Sequence, residues 1–251
     1  MTEDTPKKLT LSIALRSILF NCYFYLAVTF AIIFLLAPLS FLKSARPMRR
    51  AILMVINSII YMFEKIAGVK IIEVGTEYIP KSKGFIYCSK HMSNMDALIL
   101  YRRSPNLTAL AKKELFRVPL LSLVFHKMGV MAINRGAGQA QKQTPMIAKE
   151  LIKRKIPMII FAEGTRAVVG ERRSLKSGVY YYQKQNPELD VIVVSHNSGV
   201  SWPKKSWIKW PGILTIEYHP PMPKNLEKEE FMNEISKRLL DRSEELMLLK
   251  F

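Results

Sequence analysis

The sequence predicts an α/β domain, a mixed sheet flanked by helices, with an N-terminal membrane-associated helical hairpin ahead of it. Three observations carry this. After Gly68, short apolar runs of strand length alternate with longer stretches of helical character. Before it, no charged residue occurs from Ser17 to Leu42, a length that at ~1.5 Å per residue can cross a ~30 Å hydrocarbon layer. The chain also combines 49% hydrophobic residues with a formal net charge of +18, a mixture suited to a membrane surface. Its 251 residues suffice for one sizeable core plus an appendage. The division falls at Gly68: residues 1–68 form a membrane-associated two-helix segment and 69–251 the α/β domain.

The stretch from Met1 to Leu9 is polar and is expected to fray. The uncharged run after it is too long for a signal-peptide core and lacks a small-residue cleavage site, so it is expected to remain in the mature protein. Lys7, Lys8 and Arg16 precede it, and Lys43, Arg46, Arg49 and Arg50 follow. Charge at both ends leaves its orientation open. A second apolar run, Ala51 to Phe63, is too short to span comfortably, and Pro38 and Pro47 interrupt the path between the two. We read a hairpin that dips into one leaflet, with its basic linker at anionic headgroups. The alternative is a spanning helix followed by a core helix.

Val69 to Val74 is a strand that ends in the turn residues Gly75 and Pro80. Gly84 to Ser89 is the next strand, Ala97 to Tyr101 continues a helix, and Leu107 to Ala111 is a short strand. Leu115 to Met128 is apolar enough for a helix despite Pro119, and Gly129 to Ile133 is a strand delivering Arg135. Thr144 and Pro145 predict a helix start, as cap and first-turn proline, for a helix running to Lys155. Strands are expected at Met158 to Phe161, Val191 to Val194 and Ile213 to Tyr218. A charged amphipathic helix from Leu226 to Leu249 presents Phe231, Ile235 and Leu239 on one side.

The 38 basic residues outnumber the 20 acidic ones, which favours an anionic partner. No zinc-finger or RNA-recognition spacing is present, so no nucleic acid is expected. Trp202, Trp207 and Trp210, interleaved with Lys204, Lys205 and Lys209, could stack bases but suit a membrane interface better. Cys22 and Cys88 sit in apolar runs and read as small buried residues in a reducing compartment. No Cys/His cluster points to a metal site.

The chemistry concentrates at Lys90-His91-Met92-Ser93-Asn94-Met95-Asp96. Along a straight helix, five positions turn a side chain by roughly 140°, so His91 and Asp96 would not share a face. They meet if the chain bends first, with Ser93 or Asn94 capping a helix that starts near Asp96. A neutral imidazole can then take a proton from a hydroxyl, while the carboxylate fixes its tautomer and stabilises the imidazolium. No Gly-x-Ser-x-Gly occurs, so the expected nucleophile is a substrate hydroxyl. By itself the spacing also fits a histidine that merely packs at a strand end. A second stretch, Phe161-Ala162-Glu163-Gly164-Thr165-Arg166, follows another apolar run. Its glycine permits close backbone approach, and Thr165 and Arg166 supply donors for phosphate oxygens.

Together these blocks resemble the glycerolipid acyltransferase family, specifically the bacterial 1-acylglycerol-3-phosphate acyltransferases, with their His-x4-Asp block and downstream Phe-Pro-Glu-Gly-Thr-Arg. Lesser matches follow in order: Ala111-Lys112-Lys113-Glu114-Leu115, Ile133-Asn134-Arg135-Gly136, Leu175-Lys176-Ser177-Gly178, and Val191 to Val194 running into Asn197-Ser198-Gly199. The resemblance spans roughly Val69 to Pro223. Ala162 replaces the usual proline, and Asp190 and Ile192 stand where a proline is common.

The resemblance implies acyl transfer from a thioester to lysophosphatidic acid, giving phosphatidic acid. His91 would be the general base and Asp96 its orienting carboxylate. Arg135 and Arg166 would hold the acceptor phosphate, with Gly164 and Thr165 beside them. Glu163 would either orient the arginines or touch the acceptor. Lys112 and Lys113 would meet the acyl donor or remain solvated. No cofactor is implied; acyl-CoA or acyl-ACP (acyl carrier protein) is the co-substrate. The implied location is the inner (cytoplasmic) membrane, with the catalytic domain on the cytoplasmic side. Another lysolipid acceptor, or a non-catalytic basic membrane-binding protein, are the competing readings. His126, His196 and His219 lie outside the matched blocks and are expected in packing or surface roles.

Overall fold

A computed structural model of the chain describes residues 8–133 and 139–249. The uncharged run is one long helix, α1 (Leu11–Ser40), and α2 (Arg46–Met62) returns and ends in a wide π turn at Phe63–Ala67. Then come β1 (Val69–Val74), β2 (Phe85–Ser89), α3 (Met95–Arg103), β3 (Thr108–Lys112), α4 (Pro119–Met128), β4 (Met131–Ile133), α5 (Gln139–Arg154) and β5 (Pro157–Phe161). The chain continues through α6 (Gly178–Gln185), β6 (Asp190–His196), α7 (Ser198–Ser201), β7 (Gly212–Tyr218), α8 (Lys228–Ser236) and α9 (Arg242–Leu248).

The seven strands form one sheet in the order β1-β7-β6-β2-β5-β3-β4. β7 pairs antiparallel with β6 and parallel with β1, while β6, β2, β5, β3 and β4 run parallel. The sheet is therefore mixed. Side chains alternate across a strand, so β2 and β6 feed two cores. Phe85, Tyr87, Ile192 and Val194 face α1, α2 and α3. Ile86, Cys88, Val191 and Val193 face α5, α6 and α8. Strands buried on both faces read as continuous apolar runs.

Two helix starts differ from expectation. Residues 113–117 form a 3-10 turn, and α4 opens at Pro119, which serves as a first-turn proline. Conversely, α5 begins at Gln139 and carries Pro145 inside it, at a cost of about 3 kcal/mol that burial of Ile147, Ala148 and Leu151 offsets. Of the three tryptophans expected at an interface, Trp207 is 52% exposed. Trp202 is buried, with ring centroids 5.4 Å from Phe20, 5.1 Å from Phe24 and 5.6 Å from Phe63. It joins both N-terminal helices to the domain.

Both ends of α1 are tied to the domain. Near the start, the Lys209 backbone N–H donates to Ser17 Oγ at 2.8 Å. At the far end, Lys127 Nζ donates to the carbonyls of Leu42 and Lys43. Between these ties most of the helix is uncovered: Leu19, Leu26, Phe30 and Phe34 are all exposed.

Candidate functional site

Strand register assembles the site. Ser89 is level with Phe161 of β5 and with Val194 of β6. Two residues beyond each lie His91, Glu163 and His196, so parallel pairing delivers all three to one edge, at the carboxyl ends of the central strands.

The chain leaves β2 and bends before α3. Ser93 Oγ accepts the Met95 N–H at 2.8 Å, and Asn94 occupies the cap position. The bend brings Asp96 back under the loop, where Oδ2 accepts the N–H groups of Met92 (2.8 Å) and Ser93 (2.9 Å) and meets His91 Nδ1 at 3.0 Å. A carboxylate partner makes Nδ1 the protonated nitrogen and leaves Nε2 as the acceptor. The imidazole stacks on Phe161, centroids 3.7 Å apart and planes 14° apart. Its side chain is 22% exposed, while that of Asp96 is fully buried.

Burial by itself would push the Asp96 carboxyl up. The neighbouring His196 and His91, with hydrogen bonds from His91 and Ser198, outweigh burial and hold it below the usual carboxylate range. Asp96 is thus an ion in a dry setting, which is what orienting an imidazole requires.

Glu163 departs from its expected place. It is buried, with Oε1 2.8 Å from Lys90 Nζ and Oε2 accepting the His91 N–H at 2.8 Å. Among the described residues, both oxygens are engaged behind the histidine by Lys90 and the His91 backbone, and not by Arg166. Gly164 follows at φ 73°, a left-handed conformation, and a Cβ there would lie 2.7 Å from Lys176 Nζ. Thr165 is exposed. Arg166 donates to Asn94 Oδ1 at 2.8 Å, and the Ala167 N–H donates to the His91 carbonyl at 2.8 Å. The second stretch therefore wraps the first. Lys113 is exposed beyond β3. Lys112 lies in β3, but its side chain, like all of Arg135, is outside the described residues.

On the far side of α3, an apolar cavity of about 470 Å³ opens between Val28, Ile32, Ile56, Leu98, Leu121 and Val124. Leu98 is two residues from Asp96. Among the described residues, no group of three His, Cys, Asp or Glu side chains could hold a metal ion.

A family model described as Acyltransferase matches residues 70–205, from β1 to beyond α7. The chain belongs to the acyltransferase family. It is 30% identical over 180 residues to the 1-acyl-sn-glycerol-3-phosphate acyltransferase of Pseudomonas aeruginosa, a match covering 71% of this chain and 69% of that protein. The enzyme of the same name from Borreliella burgdorferi is 35% identical over 114 residues, 45% of this chain and 46% of its own length. The crystal structure of the 1-acyl-sn-glycerophosphate (LPA) acyltransferase PlsC from Thermotoga maritima superposes with a TM-score of 0.71, covering 94% of this chain and 99% of that one, at 23% identity. That likeness establishes the fold.

His196, expected in a packing or surface role, is buried beside the His91 loop. Its Nε2 is 2.8 Å from the Lys90 carbonyl and 3.8 Å from Asp96 Oδ1. Ser198, 102 residues from Asp96, donates to Oδ1 at 2.5 Å. Lys90 was read only as a neighbour of His91. Its place after a buried apolar strand was the available signal, since a lysine is almost never fully buried without a partner.

Proposed function

We propose that this acyltransferase moves a fatty acyl group from a thioester to the sn-2 hydroxyl of lysophosphatidic acid, forming phosphatidic acid, with His91 as general base. The observation that carries the reading is the His91–Asp96 pair: a partly exposed imidazole whose Nδ1 lies 3.0 Å from a buried carboxylate. Nε2 takes the hydroxyl proton as the oxygen attacks the thioester carbonyl. The tetrahedral intermediate then collapses, the carbon–sulfur bond breaks, and the imidazolium returns the proton to the departing thiolate. No acyl-enzyme is needed.

Arg166, half-buried and bonded to Asn94 in the His91 loop, is assigned to the acceptor phosphate together with Arg135. Gly164 and Thr165 stand beside it. The donor is acyl-CoA or acyl carrier protein thioester, with Lys112 and Lys113 assigned to its phosphates. The apolar cavity beyond α3 suits an acyl chain. We place the enzyme at the inner membrane, with the catalytic domain on the cytoplasmic side. Because both ends of α1 bind the domain, the helix lies against one leaflet rather than crossing, and its basic flanks sit on the positive-inside face.

The test is transfer of a labelled acyl group to lysophosphatidic acid by the purified full chain. His91→Ala is expected to lose on the order of 10²–10⁴ in kcat while still binding vesicles; near-normal turnover would remove His91 from the base role. Arg166→Ala is expected to raise the acceptor KM about tenfold, as loss of a ~1.4 kcal/mol contact does, with the donor KM unchanged. An unaltered acceptor KM would remove Arg166 from the phosphate site.

A further inference from the structure

We infer that Ser198 is a positioning residue for the transfer reaction: its hydroxyl holds the free oxygen of Asp96 and so sets the direction and strength of the His91–Asp96 bond. This rests on the general-base reading above.

Asp96 has two oxygens with different tasks. Oδ2 accepts from Met92, Ser93 and His91. Oδ1 accepts from Ser198 Oγ at 2.5 Å, with His196 Nε2 next at 3.8 Å. A serine hydroxyl has one proton, and here a buried carboxylate receives it. Without it, Oδ1 would sit in a dry site with no close donor among the described residues, and the carboxylate would be held through Oδ2 alone.

Ser198 is itself fixed. The Lys90 carbonyl has no proton, so His196 Nε2–H must be the donor of their 2.8 Å bond. Nδ1 is then an acceptor, and the Ser198 N–H approaches it at 3.4 Å. One neutral imidazole thereby links the residue before His91 to Ser198. Gly199 allows the approach: a Cβ there would meet the Met92 side chain at 2.7 and 3.0 Å. Among the described residues, the titratable groups facing this pair are His196 from β6, the Lys90–Glu163 pair under the loop, and Arg166, which reaches it through Asn94.

A hydroxyl bonded to a carboxylate draws off part of its charge. Removing it returns that charge to Oδ2, which then binds the imidazolium more tightly. The experiment uses Ser198→Ala, Ser198→Thr and Ser198→Cys in the full-length chain, read by kcat against pH and by nitrogen-15 titration of the His91 ring. For Ser198→Ala we expect kcat to fall about tenfold, acceptor KM to stay unchanged, and both the acid limb and the ring titration to move to higher pH. Ser198→Thr should restore all of these. Ser198→Cys, a weaker donor, should fall between and carries the test if the alanine variant does not fold.

A wild-type titration in the alanine or cysteine variant overturns the inference. So does a uniform fall in kcat at every pH that threonine does not rescue. The ring titration needs no substrate. An inactive wild type with a shifted Ser198→Ala ring would therefore count against the general-base reading and not against this bond.

Discussion

The loop around His91 and the exposed face of α1 are built on opposite principles. In the loop, nearly every polar atom is spoken for: Asp96 takes bonds from three residues of its own loop and from Ser198, and Glu163 holds both Lys90 and the His91 backbone. Along the outer face of α1, apolar side chains are largely uncovered, with Leu26 72% and Phe34 61% exposed. One region is specified by directional bonds in a dry site, the other by area alone. Damage should therefore show as lost stability and turnover in the first and as lost membrane affinity in the second.

The harshest break of this contrast is Glu163→Ala. It leaves the Lys90 ammonium buried without its partner and the His91 N–H without its acceptor. Losing one member of a buried ion pair costs about 3–5 kcal/mol, so urea unfolding should show a drop of that size. A loss below ~1 kcal/mol would mean that Lys90 reaches solvent and that the loop is not held as described.

Leu26→Asp probes the other side. A carboxylate at the centre of a lipid-embedded helix costs about 2.5–3.5 kcal/mol, so partitioning onto anionic vesicles should weaken by roughly a hundredfold. The unfolding free energy in detergent should change by no more than ~0.5 kcal/mol, as at an uncovered surface position. If Leu26→Asp unfolds the domain instead, that face of α1 is covered by protein and the contrast fails.

The same difference explains what could be read from the sequence. The central strands were legible because strands buried on both faces stay apolar along their length, as in Phe85 to Cys88 and Val191 to Val194. The bend at Ser93 and Asn94 was legible because capping chemistry is local. His196 and Ser198 were not, since their meeting with Asp96 depends on how β6 aligns with β2. Glu163 was misplaced for the same reason: neighbouring Arg166 suggested a partner in sequence, whereas strand alignment set Lys90 beside it. Trp202 was misread because a tryptophan among lysines fits a lipid interface and a buried anchor equally well. Phe20, far away in the chain, decides between them.

Lys209 lies where α1 meets the domain and gives the subtlest test. Its side chain is buried beneath α1, with Nζ 3.0 Å from the Trp207 carbonyl and 4.7 Å from the centre of the Trp202 ring. Burial pushes its ammonium down from 10.5 to about 8. The folded value lies below the unfolded one, so between about pH 8 and 10.5 the unfolded chain binds more protons and stability rises with pH. Below pH 8 both states carry the charge and the folded state bears the whole cost of burying it.

Lys209→Met keeps the length of the side chain and removes the titration. It should abolish the rise seen in denaturant melts across this window. At pH 7 it should be more stable than the wild type by about 1 kcal/mol, because an apolar replacement of a buried charge often stabilises by ~1–4 kcal/mol and the lost contact with Trp202 offsets part of that gain. Wild-type stability that instead falls from pH 8 to 10 would show that the Trp202 ring and the Trp207 carbonyl favour the ammonium in the folded state. The joint beneath α1 would then be held by directional contacts, as the His91 loop is, and not by apolar burial.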